Sequence, residues 1–163
     1  MMSQKEMTEK ALEMMRSFHT AMLVTHAADN TLVSRPMGIA QVDDDCTISF
    51  VTTAGSEKVD EALHNSAVAV TMQSGQAFVA VSGQASVILD PEEKERVWGL
   101  MSNIWYDGPQ DESAVVMQIR PDVIEYWDNR GINGLRFTVQ AVRALITGES
   151  PHPTREQHGV VTP

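Results

Sequence analysis

The sequence contains one cysteine, Cys46, in 163 residues. No internal disulfide and no CxxC metal or redox pair can be built from it, and it reads as a small hydrophobe at a strand edge. Positive charge is also scarce, with 12 lysines and arginines against 22 acids and a formal net charge of −10. A field of that sign repels polyanions, which argues against nucleic acid as a partner. Long apolar runs are missing as well. Nothing approaches the roughly 18 consecutive apolar residues of a membrane-spanning helix. The opening Met1-Met2-Ser3-Gln4-Lys5-Glu6 has no apolar run of the signal-peptide kind, so a cytoplasmic protein without a membrane partner is expected. The shortage of cations makes each one informative, because an anionic ligand must be held here by local, specific contacts.

What remains is an ordinary globular composition, 42% hydrophobic and 21% charged, at the length of a single domain. One domain is expected over residues 1–148. The proline- and histidine-bearing stretch 149–163 has no apolar period and is expected to be a flexible tail.

Apolar residues at helical spacing, from Met7 through Phe18, predict a first helix over 8–18. Short alternating or apolar runs predict strands at 21–25, 32–41, 47–52, 67–73 and 77–89, with turns at Ala28-Asp29-Asn30 and Asp43-Asp44-Asp45 between some of them. The three aspartates read as a solvated hairpin tip, since nothing nearby completes the oxygen shell of a divalent ion. Ser56 is a natural N-cap for a short helix at 57–64 with Val59, Ala62 and Leu63 turned inward. Asp90-Pro91-Glu92-Glu93 starts a third helix, expected to reach about 104. Strands at 114–120 and 123–128 and a last helix over 135–148 complete the order. Most connections are too short for parallel crossovers, so the expected fold is mainly β with flanking helices, an antiparallel sheet whose closure into a barrel would protect its edges.

Along the second strand, Val33, Arg35, Met37, Ile39 and Gln41 share one face. Arg35 therefore points with the apolar set, where a guanidinium needs a buried partner or a ligand. A structural salt bridge and a bound anion are both open. Pro36 supplies no ladder N–H, which leaves backbone groups near it available to a ligand. The segment Thr52-Thr-Ala-Gly-Ser-Glu-Lys58 joins a strand to a helix start, where backbone amides attract anions. Lys58 falls in the first helical turn, a disfavoured place for a cation unless an anion is present or Glu57 neutralises it. Arg35, Ser56 and Lys58 together could surround one phosphate. Of the three tryptophans, Trp98 reads as core, whereas Trp105 and Trp127 sit at element ends, where packing and contact with a planar ligand or second chain are both open.

These residues carry a family resemblance. Ser34-Arg-Pro-Met37, Phe50-Val-Thr-Thr53, Ser56-x-Lys58, Val79-Ala-Val-Ser-Gly83, Trp98 with Trp105-Tyr106, and Ile124-Glu-Tyr-Trp127 resemble, in order and spacing, the pyridoxamine 5′-phosphate oxidase-related FMN-binding split-barrel superfamily. The similarity is to its general stress protein 26-like branch and spans roughly residues 6–148. It implies an antiparallel Greek-key split β-barrel with FMN as cofactor, held at a homodimer interface. Arg35 and Lys58 resemble the phosphate-binding pair, with Ser56 beside them. Arg35, Pro36, Met37 and Gly38, together with Val51, Thr52 and Thr53, resemble the backbone along the ribityl chain and ring. Trp127 resembles a tryptophan supplied by the second subunit, and Trp105 is a further candidate for the pocket. Two departures stand out. Glu57 occupies a place where many relatives carry a basic residue. Trp127 is followed by Asp-Asn-Arg-Gly-Ile-Asn-Gly-Leu-Arg-Phe, without the Arg-x-His substrate motif of true pyridoxamine phosphate oxidases, so vitamin B6 phosphate is not the expected substrate.

The implied activity is electron transfer between a reduced nicotinamide and a small planar acceptor, with the redox chemistry supplied by the flavin. The alternatives are a non-enzymatic flavin-binding or stress-response protein and, third, a deazaflavin in place of FMN. The compact Arg35/Lys58 site suits one terminal phosphate better than an extended polyanionic tail. No Ser-His-Asp order, HExxH or paired-carboxylate motif stands out for hydrolytic or metal chemistry.

Overall fold

A computed structural model describes residues 2–99, 102–131 and 157–163. Helix α1 (Gln4–Arg16) begins four residues before the apolar period suggests. Its first turn is polar but capped reciprocally, Glu6 N–H donating to Ser3 Oγ at 3.2 Å and Ser3 N–H to Glu6 Oε2 at 2.6 Å, which satisfies two orphan donors at once. Ala11, Met14 and Met15 are buried from it.

Strands β1 (Thr20–His26), β2 (Leu32–Gly38), β3 (Gln41–Val42) and β4 (Ile48–Thr53) follow, then α2 (Glu57–His64), β5 (Ala67–Gln73), β6 (Ala77–Ile88), α3 (Pro91–Val97), β7 (Ala114–Asp128) and β8 (His158–Val161). All pair antiparallel, in the order β2-β1-β5-β6-β7-β4-β3, with β8 on β7. The segment read as one strand over 32–41 is two strands. Ile39 N–H donates to His19 O and Ala40 N–H to Ser49 O, both at 2.9 Å, so the chain leaves β1 and joins β4 within two residues. Since β2 and β3 are the two ends of the sheet order, this step brings those ends together and curls the sheet into a split barrel.

The break expected between 120 and 123 is absent. β7 runs 15 residues, pairing β4 with its first half and β8 with its second. Pro121 is accommodated by a register shift at Ser82/Gly83 of β6, the usual device for a residue without a ladder N–H. Gly83 is required there, because a Cβ would lie 2.2 Å from Arg120 O.

Helix α2 has the expected bounds, with Val59 and Ala62 buried. Leu63, expected inward, is exposed, and Ser56 does not cap. Its hydroxyl donates back to Thr53 O at 2.7 Å, which leaves the helix N-terminal amides uncapped by that side chain. Helix α3 stops at Val97 instead of near 104. Trp98 takes an extended conformation, from which its indole N–H reaches Asn103 Oδ1 at 2.7 Å and its ring packs edge-on against Tyr106 at 6.1 Å. A single 3-10 turn, Ser102–Ile104, follows.

The expectation of a flexible tail fails for 157–163. β8 pairs with β7 from Ile124 to Trp127, Gln157 O accepts from Asp128 N–H at 2.7 Å, and Gly159 and Val161 are buried. Four residues are too few to announce themselves by periodicity. The predicted helix over 135–148 lies outside the described residues. The aspartate hairpin is engaged structurally. Arg96 reaches both Asp43 oxygens at 2.8 and 2.9 Å, Arg16 reaches Asp44 at 2.7 Å, and Asp45 accepts from Thr47 N–H at 2.9 Å. Beside them Cys46 is fully buried at a φ of 68°, and burial pushes its thiol pKa up.

Candidate functional site

Side chains of β2 alternate as the sequence suggests, with Arg35 and Met37 turned toward the barrel interior and Ser34, Pro36 and Gly38 outward. The salt-bridge alternative for Arg35 is realised. Its Nη2 donates to Glu61 Oε2 of α2 at 2.7 Å, its Nη1 donates to the Thr25 hydroxyl, and that hydroxyl donates to Glu61 at 2.5 Å. Thr25 is fully buried. The Arg35 and Glu61 side chains keep 18% and 12% of their exposure. Glu61 and Thr25 escaped the sequence reading, although Glu61 lies three residues after Lys58 and so on the same helical face.

Lys58, half-buried in the first turn of α2, makes no ion pair and no hydrogen bond among the described residues. Burial first and the neighbouring Arg35 charge second hold its ammonium below the ordinary lysine pKa, and Glu61 and Glu57 only partly oppose this. Two cations thus share one place, and among the described residues only Arg35 is in an ion pair.

A cleft of about 650 Å³ opens where β2 hands over to β3. Gly38, Ile39 and Ala40 form one wall, Val51 another, His19 and Thr20 a third, and Gly99, Ser102, Trp105 and Tyr106 the fourth. None of these carries a carboxylate, an ammonium or a guanidinium. Trp105 is 79% exposed, and Tyr106 OH lies 3.0 Å from the Thr53 hydroxyl. A buried lysine supports this last wall. Lys94, 5% exposed, donates to Asp111 O at 2.9 Å and Ala114 O at 3.2 Å, fastening the loop 105–113.

Of the residues singled out from sequence, Gly38, Val51 and Trp105 line this cleft, and Arg35, Ser56 and Lys58 gather at the start of α2. Met37 and Thr52 are buried, so only their backbones could meet a ligand. Pro36 faces outward, opposite Met22. Trp127 is not in the cleft. It stacks on His158, centroids 5.1 Å apart and planes 16° from parallel, and His158 Nε2 lies 2.7 Å from Glu125 Oε1. His19, Tyr106 and His158 were not expected at a site. For Tyr106 the signal was its place beside Trp105, and for His158 there was none. Among the described residues no group of three or more His, Cys, Asp or Glu side chains could hold a metal ion, and no helix is long and apolar enough to cross a membrane.

The family model described as pyridoxamine 5′-phosphate oxidase like matches residues 6–152. General stress protein 26 of Bacillus subtilis (strain 168) is 29% identical over 86 residues, which is 50% of this chain and 61% of that protein. The match therefore spans less than two thirds of that relative. The crystal structure of General Stress Protein 26 from Bacillus anthracis str. Sterne superimposes with a TM-score of 0.67 at 26% identity, covering 73% of this chain and 92% of the other. A pyridoxamine 5′-phosphate oxidase-related, FMN binding protein from Nostoc punctiforme PCC 73102 has a TM-score of 0.61 at 11% identity, covering 80% and 87%; at that identity the likeness is one of fold. Because the family pattern runs from within α1 through the barrel and beyond β7, this chain belongs to the pyridoxamine 5′-phosphate oxidase-like family.

Proposed function

We propose that the protein binds flavin mononucleotide, with the phosphate at Lys58 and Arg35 and the ring in the cleft, and that it works as a homodimeric oxidoreductase on a small planar acceptor, with a reduced nicotinamide as electron donor. The observation that carries this reading is Lys58, a half-buried ammonium with no ion pair among the described residues, next to a second cation and a helix start that Ser56 does not cap. An anion there relieves the repulsion between Lys58 and Arg35 and gains the α2 amides.

The residues present fit the group. The cleft volume lies within the ~300–1,000 Å³ range of small-molecule sites, and its walls are uncharged, as a flavin ring requires. Bound flavin supplies hydride and single-electron chemistry of its own. The chain's part is to hold the phosphate through Lys58, to present hydrogen-bonding groups from Thr20, Ser102 and Tyr106, and to limit water with Ile39, Val51 and Trp105. The cleft has no second cation for a phosphorylated substrate, which accords with the missing Arg-x-His motif.

The dimer is supported by the outward sheet face. Across one ladder row, Pro36, Met22, Thr71, Ala80, Glu125 and Val160 stand side by side, with one charge among them, in a chain of net charge −10. A face so poor in charge is suited to a second copy.

The test is a titration of purified protein with FMN and with riboflavin, followed by flavin fluorescence. Lys58→Ala is expected to weaken FMN about 10- to 100-fold, the scale of a charge-assisted contact, and to leave riboflavin unchanged. Protein that binds neither flavin at micromolar concentration sinks the proposal. Anaerobic addition of NADH or NADPH should then bleach the bound flavin; a holoprotein bleached only by a chemical reductant is a binder, not an oxidoreductase.

A further inference from the structure

The start of α2 brings a carboxylate together with its two cations. Glu61 Oε2 accepts from Arg35 Nη2 at 2.7 Å and from the Thr25 hydroxyl at 2.5 Å, and Arg35 Nη1 donates to that same hydroxyl. The three side chains form a closed ring of hydrogen bonds in which the charge of Arg35 is matched by that of Glu61. Thr25, fully buried, fixes the ring to β1. Lys58 stays outside it, with no ion pair among the described residues.

The surroundings add little charge to this set. Helix α2 packs on β1 and β6. β6 carries no charged side chain, and the one titratable group of β1, His26, alternates to the face opposite Thr25. Glu57 and Asp60 of α2 are exposed, where water and salt screen them. At Lys58 itself burial and the Arg35 charge weigh more than Glu61 and Glu57. With Arg35 and Glu61 cancelling, a ligand therefore meets one unmatched positive charge, that of Lys58, and a carboxylate three residues further along the same helical face.

Resting on the flavin-site reading above, we infer that Glu61 is a specificity-determining residue: by holding the Arg35 charge it matches the anion site to a phosphate with a single negative charge and disfavours a dianion. A phosphate monoester near neutral pH carries about 1.5 to 2 negative charges. FMN thus enters with more charge than Lys58 cancels, and Glu61 repels the excess. The sign of the effect separates this role from bracing. A carboxylate that only braced the barrel would, once neutralised, weaken every flavin, whereas one that opposes the phosphate strengthens FMN when its charge is removed. Because Coulomb energy is proportional to the ligand's charge, a tenfold gain for a dianion corresponds to about a threefold gain for a monoanion and to none for a neutral flavin.

The experiment is a titration of full-length wild type and Glu61→Gln with FMN, with the methyl phosphodiester of FMN and with riboflavin, at about pH 8, where the FMN phosphate is a dianion, followed by flavin fluorescence. Glutamine keeps an oxygen for Thr25 and Arg35 and removes the charge. It is expected to tighten FMN about tenfold and the diester about threefold, and to leave riboflavin unchanged. Comparing each ligand between the two proteins cancels any steric effect of the methyl group. Glu61→Met is expected to give the same pattern and repeats the test should Glu61→Gln fold poorly. A neutral variant that weakens all three ligands alike, that leaves the preference for FMN over riboflavin unchanged, or that gains equally for FMN and its diester overturns the inference and leaves the flavin site standing. Wild-type protein that takes up no flavin removes both.

Discussion

Replacing Arg35 by alanine separates its two conceivable roles. In the structure the guanidinium is tied to Glu61 and Thr25, and removing it strands the Glu61 carboxylate with one hydroxyl donor. Breaking a fully buried pair costs about 3–5 kcal/mol. With 18% and 12% of the two side chains still exposed, water reaches the site, and about 2–3 kcal/mol is the better figure. For a chain of this size that lowers Tm by about 5–10 °C. Urea denaturation of Arg35→Ala, Glu61→Leu and the double variant Arg35→Ala/Glu61→Leu measures it. The double variant should lose less than the sum of the single changes, with a coupling of about 1–3 kcal/mol. If Arg35→Ala costs under about 0.5 kcal/mol, within the range of an ordinary surface change, the guanidinium is not a structural member of the barrel. Its only role would then be toward an anion, and FMN affinity, not stability, would carry the whole effect.

Gly159→Ala places a methyl against the Tyr126 ring at 2.5 Å; overpacking of about 1–3 kcal/mol is expected, and faster amide exchange confined to β8 and the second half of β7 will show it. Lys94→Met leaves Asp111 O and Ala114 O without their buried donor. Proteolysis within 105–113 should increase, and affinities for FMN and riboflavin should fall by the same factor, whereas a fall in FMN alone contradicts the role given to the loop. Asp128 is pushed up by burial, but the Arg130 side-chain and backbone hydrogen bonds, the Arg130 charge and Lys10 outweigh this and hold it at about 2 against an ordinary 3.8. A lowered carboxylate pKa stabilises above the unfolded value and is lost as pH falls through the folded one. The stability difference between wild type and Asp128→Asn should therefore be full above about pH 5 and shrink by on the order of 2 kcal/mol toward pH 2; a difference independent of pH contradicts the pairing.

The parts of the fold legible in sequence are those where one face meets the core. β1, β5 and the first half of β6 alternate, and the expected and observed bounds of these strands differ by one residue or less. The misreadings arise where a partner decides. Residues 32–41 have the composition of one strand, and only barrel closure makes Ile39 bond to His19 and Ala40 to Ser49. Pro121 looks like a strand end until β6 supplies the register shift that accommodates it. The helix from Pro91 is expected to reach about 104, yet Trp98 leaves the helix to reach Asn103 and Tyr106.

Charge follows the same rule. Parity places Arg35 among apolar neighbours, but the carboxylate that receives it comes from another element. The aspartate hairpin likewise is claimed by Arg16 of α1 and Arg96 of α3. In an acidic chain most cations find such partners. Lys5, Lys10, Arg16, Arg35, Arg96 and Arg130 are all in ion pairs, and Lys94 is bound by carbonyls. Arg120 has no ion pair among the described residues, but it is exposed, where water satisfies it. Lys58 is the half-buried exception among the described residues. Scarcity of positive charge alone marks several residues as informative; the structure narrows them to Lys58 and to Arg35 beside it, whose pairing with Glu61 leaves 18% of its side chain exposed. A lysine kept short of a partner, beside an arginine and at a helix start, is costly to the folded protein unless an anion arrives, and that cost is the physical reason to look for the ligand there.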